Sequence, residues 1–79
     1  MTLNERIKEI IALVLEVDPS SIDENSSSDT LPQWDSLHHM NLILALEEDF
    51  GISIPDEEVA DLTSYKLIHL IVKELTGNQ

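Results

Sequence analysis

Apolar residues recur at helical spacing along most of this chain, and nowhere do they alternate as a half-buried strand requires. Leu3, Ile7, Ile10, Ile11 and Val14 share one side of a first helix expected over residues 3 to 16, and Leu13 and Leu15 widen that face. Leu42, Ile43, Leu46 and Phe50, with His39 beside them, line a helix expected over residues 36 to 50. Leu67, Ile68, Ile71, Val72 and Leu75 supply the apolar face of a last helix opening at Ser64. Between these, Val59, Ala60 and Leu62 give a short third helix its apolar side. The reading is an all-α fold, a small four-helix bundle of three longer helices and one short one. Its 79 residues make one domain, residues 1–79, near the lower limit for a core without metals or disulfides.

The breaks between helices have local causes. Val17-Asp18-Pro19 ends the first helix, because the residue before a proline is pushed out of helical geometry. Residues 18 to 33 form a long loop, and in a small domain such a loop is expected to be functional or packed. Ile22 and Leu31 are its expected anchors to the core. Asp35 is a good N-cap for the second helix, since its carboxylate can accept free backbone N–H groups of the first turn. Gly51 stands where a C-terminal glycine ends a helix, and Ile52-Ser53-Ile54 is a short extended link. After Pro55, Asp56-Glu57-Glu58 place carboxylates against a helix N-terminus, and Gly77-Asn78-Gln79 closes the last helix.

The formal charge is −12, and it is unevenly spread. The basic residues are Arg6, Lys8, Lys66 and Lys73, so no Lys or Arg falls between Lys8 and Lys66. Nucleic acid is a poor partner, because binding a phosphate backbone depends on Lys and Arg. Proteins with basic patches are good partners, because opposite fields speed encounter. No stretch approaches the roughly 20 apolar residues of a membrane span, and the N-terminus lacks a signal-peptide pattern. Cytoplasmic residence is the default expectation. There is no cysteine, which removes disulfides and thiolate metal sites and suits a reducing compartment.

Ser36 stands where the irregular polar stretch stops and the second helix begins, so its hydroxyl is expected to sit at the surface on a fixed backbone. A serine hydrolase is a poor reading. His38 and His39 follow two and three residues later on the helix, which does not set up the hydrogen bond that activates a nucleophile. Neither a zinc pair nor a calcium loop has its spacing among His38, His39, His69, Asp18, Asp23 and Asp29. His39 is expected to line the core near Ser36, and His38 to be exposed. The second helix also carries a second apolar stripe, Leu37, Met40 and Leu44. Either both stripes are buried, or this one is a ridge for a partner, edged by Glu47 and Glu48.

Asp35-Ser36-Leu37, then an apolar helix, then Ala45-Leu46-Glu47-Glu48-Asp49-Phe50-Gly51-Ile52 and Ile54-Pro55-Asp56-Glu57-Glu58, resembles the acyl carrier protein family. The resemblance spans nearly the whole chain and is thinnest over residues 18 to 33. It implies that Ser36 carries a 4′-phosphopantetheine arm, loaded from coenzyme A by a phosphopantetheinyl transferase. It implies that the arm's thiol holds acyl intermediates, that the interior between helices shelters the acyl chain, and that the protein is a monomer without catalytic residues. It further implies a Leu37, Met40 and Leu44 face, with Glu47 and Glu48, that meets acyl-loading and acyl-processing enzymes. Many fatty-acid carriers have acidic residues where this chain has His38 and Asn41, and alanine where it has Trp34. A dedicated carrier of polyketide, amino-acid or polysaccharide- or lipid-modifying acyl groups thus stands beside fatty-acid synthesis. The reading from another class is an acidic helical interaction module without a prosthetic group.

Overall fold

The structure is a computed structural model describing residues 2–77. Four α-helices follow one another: α1 (Leu3–Leu15), α2 (Ser36–Phe50), the short α3 (Asp56–Val59) and α4 (Tyr65–Thr76). None among the described residues is long and apolar enough to cross a membrane. The apolar stripes meet as their periodicity requires. Ile7, Ile11 and Leu15 of α1, Leu42 and Leu46 of α2, and Ile68 and Val72 of α4 are the largest fully buried side chains. Ile54 and Leu62, on either side of α3, close the same cluster.

Side-chain caps start the three long helices. Thr2 accepts the Glu5 amide, Asp35 the His38 amide and Ser64 the Leu67 amide. Gly51 and Gly77 end α2 and α4 in the left-handed conformation that glycine adopts without steric cost. Helix α1 ends one residue before the expected boundary, ahead of the proline. Glu16 itself turns left-handed, at φ 58°. Its amide and that of Val17 both return to the Ala12 carbonyl. Leu13 does not widen the buried face of α1, being 79% exposed, whereas Leu15 is buried. Asn78 and Gln79, in the expected end of the last helix, lie outside the described residues.

The long loop is packed, with Ile22 buried and Leu31 half-buried against the core. A short 3-10 turn (Pro19–Ser21) is capped by Asp18. Further on, the loop is clasped to the start of α4. The Ser28 amide donates to the Thr63 carbonyl at 2.8 Å, and the Tyr65 amide donates to the Ser26 carbonyl at 2.9 Å. Buried Ser26 accepts the Asp23 amide on its hydroxyl at 2.8 Å, which closes the turn.

Arg6 joins α1 to the far end of α2 through a two-pronged pair with Asp49, its Nε donating to Oδ2 at 2.8 Å. The guanidinium holds the Asp49 carboxyl below its ordinary value, by hydrogen bonding first. A carboxyl with a lowered folded-state value stabilises the fold above its unfolded value and loses that contribution as pH falls through the folded one. Asp49→Asn is therefore expected to lower the thermal midpoint at neutral pH. The gap to the unaltered protein should shrink below about pH 4. Circular-dichroism melts across this range check it, and a gap unchanged at the acid end would place the stabilisation elsewhere.

Candidate functional site

The site is built on the first turn of α2. Asp35 is extended, and its Oδ1 accepts the His38 amide at 2.9 Å, which fixes where the helix begins. The same oxygen lies 2.8 Å from His38 Nδ1. The backbone amide and then the side chain of His38 hold the Asp35 carboxyl below its usual range. A carboxylate can only accept, so Nδ1 of His38 carries the proton. His38 is half-buried and tied to the cap rather than exposed as expected. Ser36 follows as the first residue of α2 and is exposed.

His39 lies beside the core next to Ser36, as expected, and is half-buried. The Trp34 indole N–H donates to its Nδ1 at 3.0 Å. Indole nitrogen is a donor only, so Nδ1 is the acceptor and the proton sits on Nε2. Nε2–H then donates to the Val59 carbonyl at 2.7 Å. Trp34 is 4% exposed, a core residue that sequence reasoning did not place. Its signal was a lone large aromatic two residues before Ser36 in a polar stretch. An open groove of about 780 Å³ runs beside Ser36, lined among others by Trp34, His39, Met40, Val59 and Ala60.

The second stripe of α2 is uncovered, with Leu37 70%, Met40 51% and Leu44 58% exposed. Glu48 is exposed at its edge. Glu47 is half-buried, and its Oε2 accepts the Ile54 amide at 2.8 Å, which pins the link before α3 to α2. The histidines are engaged separately, His38 with Asp35, His39 with Trp34 and Val59, and His69 stacked on Tyr65. Both ring nitrogens of His39 are occupied, and Nδ1 of His38 is turned to Asp35. The arrangement presents a hydroxyl on a rigid helix start, beside an open groove and an apolar ridge.

A family model described as the phosphopantetheine attachment site matches residues 5–71. The acyl carrier protein of Thermosynechococcus vestitus is 45% identical over 58 residues, covering 73% of this chain and 72% of that protein. The acyl carrier protein of Zymomonas mobilis is 40% identical over 62 residues, covering 78% and 80%. The solution structure of holo acyl carrier protein from Geobacter metallireducens superposes with a TM-score of 0.85 at 26% identity, over 98% of this chain and 88% of that one. The chain belongs to the phosphopantetheine-attachment family, as an acyl carrier protein. Its prosthetic group is phosphopantetheine, which removes the reading of an acidic module without one.

The residues here fit that group. An exposed hydroxyl at the start of a long helix can become a phosphodiester oxygen, and the helix N-terminus favours the resulting anion through its amides and dipole.

The hydrogen-bond pattern assigns the His39 ring the Nε2–H tautomer, with Nδ1 the acceptor of the Trp34 indole. Long-range proton–nitrogen NMR spectra should show this pattern. A Trp34→Phe replacement keeps the ring but removes the donor, and is expected to cost about 1 kcal/mol. An Nδ1–H ring in the unaltered protein would contradict the bridge.

Proposed function

We propose that the chain acts as one free-standing carrier domain, a monomer in which Ser36 holds the phosphopantetheine arm. The support is the position of Ser36, exposed at the first residue of α2 with its backbone fixed by the Asp35 cap. A phosphopantetheinyl transferase would reach Ser36 directly. Ser36 Oγ would give up its proton and become an oxygen of the new phosphodiester, while the nucleotide half of coenzyme A leaves. When bound, the arm supplies the thiol that carries acyl groups, the only thiol available to a chain without cysteine. The chain's own part is to present, orient and dock. Asp35 steadies the helix start, and the reacting bases belong to the partner enzymes.

The docking face in this reading is Leu37, Met40 and Leu44 with Glu48, and Glu47 fixes its edge. An exposed apolar ridge ringed by carboxylates suits transferases and acyl-processing enzymes with basic patches around an apolar pocket. The acyl group belongs to fatty-acid synthesis or to a related dedicated acyl pathway. The thiol-free chain suits the reducing cytoplasm, the compartment we assign to it.

Intact mass after incubation with coenzyme A and a broad-specificity transferase tests the assignment. The protein should gain one phosphopantetheine group and Ser36→Ala none. A gain in Ser36→Ala would move the site to another serine. No gain in either, with a control carrier loaded by the same enzyme, would contradict the carrier function.

The two glutamates at the edge of the face separate by their contacts. Glu48→Lys should slow loading, most strongly at low salt, with the stability unchanged within about 0.5 kcal/mol. Glu47→Lys should also lower stability, by about 1–3 kcal/mol, because it strands the Ile54 amide. Loading rates of Glu48→Lys equal to those of the unaltered protein at low salt would remove Glu48 from the face.

A further inference from the structure

Leu13 is the most exposed of the large apolar side chains among the described residues, at 79%. It stands in an open groove of about 550 Å³ along α1 and the turn that follows it, walled also by Ile10, Val17 and Pro19 and edged by Glu9 and Glu16. No lining residue comes from α2, so the groove is separate from the ridge of Leu37, Met40 and Leu44. Arg6 lines it too, but its guanidinium is held by Asp49 and lies 3.6 Å from Glu9. The charge left open to a partner is therefore that of the glutamates. Glu16 supplies a second observation. All three long helices end on a residue in the left-handed conformation, and for α2 and α4 that residue is Gly51 or Gly77. For α1 it is Glu16, exposed and at φ 58°. A residue with a Cβ is strained there, and glycine is not. The strain is kept at the one of these ends where a carboxylate stands at the edge of an apolar groove.

We propose that the α1 groove is a second docking site, which takes an apolar side chain flanked by lysine or arginine from a partner protein, and that the strained Glu16 supplies the carboxylate that meets the flanking charge. Charge selects this occupant. A second copy of a chain with a net charge of −12 would bring like charge against Glu9 and Glu16, and so would an anionic membrane. Apolar contact bordered by opposite charge is what a protein partner offers. The site goes beyond the carrier reading, because it shares no residue with the α2 ridge and needs no arm on Ser36.

The test titrates the isotope-labelled full chain at low salt with a synthetic amphipathic helical peptide of leucine and lysine, and fits the amide NMR shifts residue by residue. The peptide should move Ile10, Leu13, Glu16 and Val17 as one group, and Leu37, Met40 and Leu44 as another with its own affinity. Leu13→Gln should weaken binding at the α1 group by about fivefold or more and leave the α2 group unchanged. Glu16→Gln keeps the strained backbone without the charge, and Glu16→Gly removes both. Each should weaken the α1 group at low salt, with the loss shrinking as salt is added. Glu16→Gly should not lower the thermal midpoint, since glycine adopts that conformation freely. A matching peptide of leucine and glutamate should leave the α1 group unmoved. Shifts confined to the α2 ridge, α1 shifts that persist in Leu13→Gln, or equal binding of the acidic peptide would each overturn the docking site. Unchanged affinity in both Glu16 variants, with a lower midpoint in Glu16→Gly, would make Glu16 a helix end only and overturn its part. Concentration-dependent dimers of the unaltered chain, lost in Leu13→Gln, would give the groove to a second copy and overturn the proposed partner.

Discussion

The bond from the Asp35 carboxylate to the His38 amide sets where α2 begins, and most of what is functional here depends on that starting point. A helix that began one residue later would rotate every side chain by about 100° relative to its cap. Ser36 would no longer be the first helical residue. The same carboxylate oxygen receives His38 Nδ1–H, so the cap is locked from two directions. The two bonds to the Asp35 carboxylate that fix the helix start both come from His38, two residues beyond Ser36. A small domain can therefore offer a hydroxyl that is both exposed and ordered.

Helix α2 has two apolar stripes and only one cover. Helices α1 and α4 bury Leu42, Ile43 and Leu46, and the second stripe remains in solvent. Exposed leucines and a methionine in a row beside carboxylates are costly to leave uncovered unless a partner covers them for part of the working cycle. The other side of the site is closed. Trp34, His39 and Val59 knit the approach to α2 onto α3, and Glu47 ties the link before α3 back to α2. Helix α3 is one short turn without a side-chain cap of its own, and these two bonds from α2, with the packing of Ile54, Val59 and Leu62 against the core, position it. The result is an open groove at Ser36 over a filled interior.

The helices were legible because periodicity and caps are local. Thr2 was not foreseen as a cap, and α1 stops at Leu15 because Glu16 takes the left-handed conformation before the proline acts. Ser36 and Asp35 were legible in the same local way. The rest of the site was not, because it is made by contacts between segments. Trp34 sits in a loop, where no period marks a residue as buried. The His39–Val59 bond joins residues 20 apart, and the clasp from Ser26 and Ser28 to residues 63–65 is longer still. Glu47 read as a solvent-facing edge residue from its helix position, but the chain reverses after Gly51 and brings the Ile54 amide to it. The second stripe of α2 left two outcomes open in the sequence, since exposure depends on what the other helices cover.

The central claim is that Ser36, among several serines in polar stretches of this chain, is the residue that carries the arm. Peptide mass spectrometry on the protein isolated from the cells that make it tests this most directly. A fragment containing Ser36 should lose pantetheine on activation, and the fragments bearing Ser20, Ser21, Ser26, Ser27, Ser28, Ser53 and Ser64 should be unmodified. Pantetheine on any of those serines, with Ser36 bare, would contradict the account.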